Sequence, residues 1–161
     1  MSYFKPDLTP AQMLRLGVFG GAYFADTGIS EYPKSWFTNA KISPVFDVNL
    51  NCLKVKSGQT RQQWIDNGWI NPADPLGFFQ WYCRYYMGRR IDDDDRQINR
   101  WRAFIPRHVG MVRYIAKGDP CKAPTSRQAL LQWAMDPYYE HGAYSGQSMV
   151  AKINEIRKKC I

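Results

Sequence analysis

The stretch that most limits how this chain can fold is LGFFQWYCRYYM, residues 76–87. Its only ionised side chain is Arg84. In helical projection Leu76, Phe79, Cys83 and Met87 share one face, and Phe78, Trp81 and Tyr85 share another. A helix that is apolar all round needs cover on every side, so it belongs at the centre of a bundle. Asp74 suits its N-cap, Pro75 its first position and Gly88 its C-terminal stop. The expected fold is mainly α: a compact single-domain helical bundle, residues 1–161, around a buried aromatic helix at 75–87. An irregular glycine- and aromatic-rich N-terminal part completes it. Residues 38–58 read either as a loop or as a short β-hairpin.

A second strong helix is expected over 91–117. Asp92, Asp93, Asp94 and Asp95 sit at its start, where carboxylates complement the helix dipole. Ile98, Trp101, Ile105, Val109, Val112 and Ala116 recur at spacings of three and four, which makes one buried stripe. Pro106 is expected to kink or split this helix. Shorter helices are expected after Thr9-Pro10, over Thr60–Asn67, and from Thr125 or Ser126 through Ala134. A last one should cover Ser148–Lys159, and Pro33–Phe37 suits a single turn. At 45% apolar residues the chain has enough to build one core.

The formal charge is +8. Residues 81–161 carry fifteen Lys or Arg against eight Asp or Glu, so nearly all of that excess lies in the second half. A basic surface of this kind favours a polyanionic partner, with nucleic acid first. No apolar run approaches the length of a membrane span. The opening MSYFKPDLTP has no apolar signal core, so a cytoplasmic or nuclear location is expected rather than secretion. Cys52, Cys83, Cys121 and Cys160 are widely spaced and expected to be reduced thiols. A zinc site would have to gather Cys83, His108 and Cys121 from distant segments; no metal or cofactor is expected.

Two constellations suggest chemistry. On the 91–117 helix, Arg96, Arg100, Arg107 and Tyr114 fall in one sector opposite the apolar stripe, with Ala103 and Gly110 beside it. Arg89, Arg90, Lys122 and Arg127 flank that row. Forked, permanently charged guanidiniums suit phosphates, and a neighbouring Tyr or Trp suits a stacked base. The competing reading is a solvated face whose arginines are satisfied by the local aspartates.

The second constellation is the glycine segment, residues 17–37. Gly20 and Gly21 allow a ligand, or another segment, to lie close. Tyr23 and Trp36 offer flat surfaces for a base-recognition or base-excision pocket. Asp26 and Glu31 are the candidate acid–base residues. A tight, aromatic-packed turn is the competing reading. The alternatives to nucleic-acid binding are a small enzyme acting on a phosphorylated or carboxylated molecule, and a protein-interaction module. His108 lies at the boundary of the buried stripe, where a carbonyl-bonded imidazole is expected.

The strings GWINPADPLGFFQWYCRYYMGRR, DDDDRQINRWRAFIPRH and RQALLQWAMD resemble segments of a family of stand-alone proteins of about this size, with no activity to carry over. LGVFGGAYF and YPKSWF resemble that family's front half. The resemblance covers roughly residues 14–136. It implies that the glycine segment and the basic-aromatic segment form one unit.

Overall fold

The structure, a computed structural model, describes residues 4–142 and 149–160. It is all helix and loop, with no strand among the described residues. The helices are α1 (Pro10–Leu16), α2 (Arg61–Asp66), α3 (Phe78–Tyr86), α4 (Asp94–Ala116), α5 (Pro124–Gln132) and α6 (Met149–Lys158). Residues 38–58 form loops and a 3-10 turn at Val48–Leu50 instead of a hairpin.

Local chemistry sets the short helices. Thr9 and Gln12 form a reciprocal capping box at α1, and Thr60 and Gln63 repeat it at α2. Pro10 and Pro124 occupy first-turn positions, where a missing N–H costs nothing. α4 runs unbroken through Pro106, contrary to the expected split. The expected start of α6 at Ser148 lies outside the described residues.

α3 is the hub. Phe78, Phe79, Trp81, Tyr82 and Cys83 are all buried. Phe4 reaches back to meet the rings of Trp81, Tyr82, Tyr85 and Trp101 edge-on, at 5.0–5.6 Å between centroids. Three of the polar tips in this core reach partners far along the chain. Tyr82 donates to the Leu8 carbonyl, Trp81 to Asp94, and Trp101 to the Trp133 carbonyl.

Asp74 is not the N-cap of α3; that position falls on Gly77, at φ +98°. The Asp74 carboxylate is wholly buried and accepts from Arg84 and from both ends of the Arg89 fork. This joins the entrance of α3 to its exit. The four consecutive aspartates also have separate duties. Asp94 accepts from Trp81 and from the Ile91 N–H, while Asp93 grips Arg96. No cluster of metal-binding side chains occurs among the described residues.

Two further expectations are corrected. Cys121 and Cys160 form a disulfide, so only Cys52 and Cys83 are free thiols, both buried. Arg127 is not a surface residue: it is fully buried at the start of α5. It donates to the carbonyls of Lys122, Pro137 and Asp119 and pairs with Glu140. A side chain so placed is a structural crosslink. Arg127→Ala should therefore destabilise the fold by roughly 3–5 kcal/mol, because Glu140 and three carbonyls lose their donor. Guanidinium chloride unfolding checks this, and a loss below about 1 kcal/mol would contradict it.

Candidate ligand-binding pocket

A large concavity lies on the face of α4 that the sequence reading assigned to phosphates. It is a cavity of about 440 Å³. α4 contributes Arg100, Ala103, Phe104, Arg107 and His108 at helical spacings, so one stripe of the helix forms a wall. α2 and its following turn contribute Trp64, Trp69 and Ile70. Trp133, Ala129 and Gln132 come from α5 and its C-cap, and Phe19, Tyr23 and Phe79 from the core side.

Each wall is held in place by identifiable contacts. The Trp69 N–H donates to the Trp64 carbonyl and closes the turn after α2. Arg96 and Arg100 both donate to the Trp69 carbonyl, which docks that turn onto α4. Gly77 lets the Trp64 ring approach, since a Cβ there would sit 3.0 Å from Cζ3. Gln132 donates to the Ser57 carbonyl and Ser57 to the Thr125 carbonyl, which fixes the 57–59 loop against α5. Tyr23 donates to the Leu76 carbonyl and accepts from the Gln80 N–H, so its hydroxyl is structural.

The aromatic wall is a stack. His108 lies 3.9 Å from Phe104, Phe104 4.4 Å from Trp133, and Trp133 4.4 Å from Phe78, with interplanar angles of 24–30°. Arg100 stands between two tryptophans, its guanidinium carbon 5.8 Å from the Trp69 ring centre and 5.5 Å from that of Trp133. Burial, and then the nearby charge of Arg96, lower its pKa from the usual guanidinium value. Arg100 donates to Gln97 and to the Trp69 carbonyl, yet it makes no ion pair among the described residues. Arg107 is exposed at the cavity and likewise has no carboxylate partner among them. No Asp or Glu lines the cavity.

The other predicted residues are dispersed. Arg89 is committed to Asp74, and Arg96 to Asp93 at 2.5 and 2.9 Å. Arg90 covers the Tyr85 ring at 3.6 Å and donates to backbone carbonyls. Tyr114 is 82% exposed and Lys122 is exposed, both away from the cavity. The eight residues predicted as one nucleic-acid surface therefore do not form one continuous free row.

The glycine segment is a packed turn. Gly20 lies under the Phe46 ring and Gly21 against Leu50 and Ser43, each at positive φ, so the close neighbour is the chain's own 42–50 segment. Trp36 is buried against Tyr32 and Tyr86. Glu31 forms a forked pair with Arg84, which holds its carboxyl below the usual range. Asp26 is exposed and lines neither cavity. The cavity in this segment, lined by Gly21 and Tyr23 among others, holds only about 70 Å³. That is too small for a nucleobase-sized guest.

No family model, no curated protein and no solved structure matches the chain. The site is thus read from its own chemistry.

Sequence reasoning missed Trp64, Trp69 and Trp133. The available signal was the second stripe on α4, where Phe104 and His108 interrupt an otherwise polar face. His108 also departs from expectation, because its Nδ1 is buried without a hydrogen-bond partner. Burial, with the adjacent Arg107 charge second, pushes its pKa below the usual imidazole range. His108 should therefore be neutral at pH 7, and the native state should lose stability as pH falls below about 6.5, where the unfolded chain binds the proton more readily. Arg107→Gln should raise the His108 pKa only part of the way, since burial remains. NMR titration of the imidazole checks both statements, and a native pKa above 6.5 would contradict them.

Proposed function

We propose that the protein binds a small anionic molecule in the pocket between α2, α4 and α5. One observation carries this reading: Arg100 is a partly desolvated cation that makes no direct ion pair among the described residues, the Asp93 charge reaching it only at longer range, at the wall of a 440 Å³ aromatic cavity. A desolvated charge is costly unless an opposite charge meets it, so the site favours an anion. Size and lining fit a small-molecule site, with an apolar interior and a few convergent polar groups. Binding, rather than a named reaction, is the reading supported. Asp26 and Glu31 lie outside the cavity, and no acidic side chain lines it to act as a base.

Calorimetric titration with a panel of small carboxylates and phosphates tests this. At least one should bind, and Arg100→Gln should weaken it about tenfold or more, the worth of a charge-assisted hydrogen bond. Unchanged affinity in that variant would refute the assignment.

Nucleic-acid association stays as a second reading on a different observation. Arg107, Tyr114, Lys117 and Lys122 are exposed on the C-terminal part of α4 and just beyond it, in the half that carries most of the net charge. This surface requires oligonucleotide affinity that falls steeply with salt and drops when Arg107 and Lys117 are both changed to Ala. Salt-insensitive or absent binding removes it. The Cys121–Cys160 disulfide favours an oxidising compartment over the expected cytoplasmic or nuclear location, since such bonds persist mainly there.

A further inference from the structure

We infer that the anion taken by the pocket is an aromatic monocarboxylate: a flat, electron-rich ring system whose acid group meets Arg100. The inference rests on the anion-binding reading above and adds the chemistry of the body that carries the charge.

Phe104 is covered by His108 on one side and Trp133 on the other. A ring covered on both faces has only its edge left to show a guest. Aromatic edges carry the positive end of the ring quadrupole, and they attract the negative face of another ring. At Phe104 the wall is therefore electropositive before any formal charge is counted. Arg100 adds a full charge between Trp69 and Trp133. A saturated acid of the same shape satisfies Arg100 but has no negative face for the edges. A neutral aromatic satisfies the edges but leaves Arg100 unmet. Only an aromatic acid answers both.

The charge available sets the head group. Of the cationic side chains at the cavity, Arg100 is the one set into the wall, while Arg107 is exposed and stays hydrated. Arg96, one turn away, already spends its fork on Asp93. The neighbouring imidazole of His108 has a low pKa and adds no charge at neutral pH. One desolvated guanidinium matches a carboxylate and falls short of a phosphate dianion.

The test uses the full oxidised chain and four probes in calorimetry: 2-naphthoate, its saturated decalin counterpart, 2-naphthylmethanol, and adenosine monophosphate. We expect 2-naphthoate to bind tightest, by about fivefold or more over the saturated acid, as several edge-to-face contacts imply. Arg100→Gln should abolish its advantage over the neutral alcohol. Phe104→Leu should shrink its advantage over the saturated acid, lowering the affinity for 2-naphthoate more than that for the saturated acid. Equal binding of the two acids would overturn the aromatic inference and leave the anion site standing. Tighter binding of the nucleotide would overturn the monocarboxylate assignment. Binding of none of the four, with silence across the broader panel above, removes the anion-binding reading itself. Should Phe104→Leu lose its circular dichroism, the four-probe ranking on the native chain still decides.

Discussion

Burying a tryptophan or tyrosine is costly unless its polar tip finds a partner, and the long-range bonds of this core largely answer that requirement. The α3 rings lie at the centre of the core, and two of them, Trp81 and Tyr82, bring groups that must be bonded. Trp81 reaches the first turn of α4 through Asp94, and Tyr82 reaches the loop before α1 through the Leu8 carbonyl. Trp101 ties α4 to the end of α5, and Tyr23 ties the glycine segment to the entrance of α3. These bonds connect segments far apart in sequence, so the apolar drive to bury rings and the directional need to satisfy them select one arrangement. Without them, a core this rich in large rings has many comparable packings.

The arginines show the same logic in the opposite sign. Arg127, Arg89 and Arg84 act as crosslinks inside or beside the core, each using several donors at once. Arg96 and Arg100 together hold the Trp69 carbonyl, but only Arg96 also has a carboxylate. That asymmetry within a single turn of α4 separates a structural residue from a candidate binding residue. Net charge therefore overstates the free positive surface, because Arg84, Arg89, Arg96 and Arg127 are committed to carboxylates within the fold.

What was legible in the sequence was local. The short helices after Thr9 and Thr60, the turn at Pro33–Phe37, the all-round apolar pattern of α3 and the buried stripe of α4 depend on near neighbours in sequence. Asp74 was misread because a cap and a buried carboxylate look alike until Arg84 and Arg89 are seen to fold back on it. The polar face of α4 was identified, but whether Arg96 and Arg100 were free depended on Asp93 and the Trp69 carbonyl in three dimensions. The pocket was less legible still. Its tryptophans come from α2, the turn after it and the C-cap of α5, and no spacing rule links those positions. The glycine segment drew attention by composition, yet its glycines accommodate Phe46 and Leu50 of the same chain.

The Cys121–Cys160 bond joins the corner between α4 and α5 to the end of α6, across 39 residues of chain. That makes the C-terminal quarter a covalent ring. A protease that cuts once within the ring releases nothing: α5 and α6 remain tethered to the body of the protein until the sulfurs are also reduced. Survival after a single nick is therefore a property of the ring, separate from how well its helices pack.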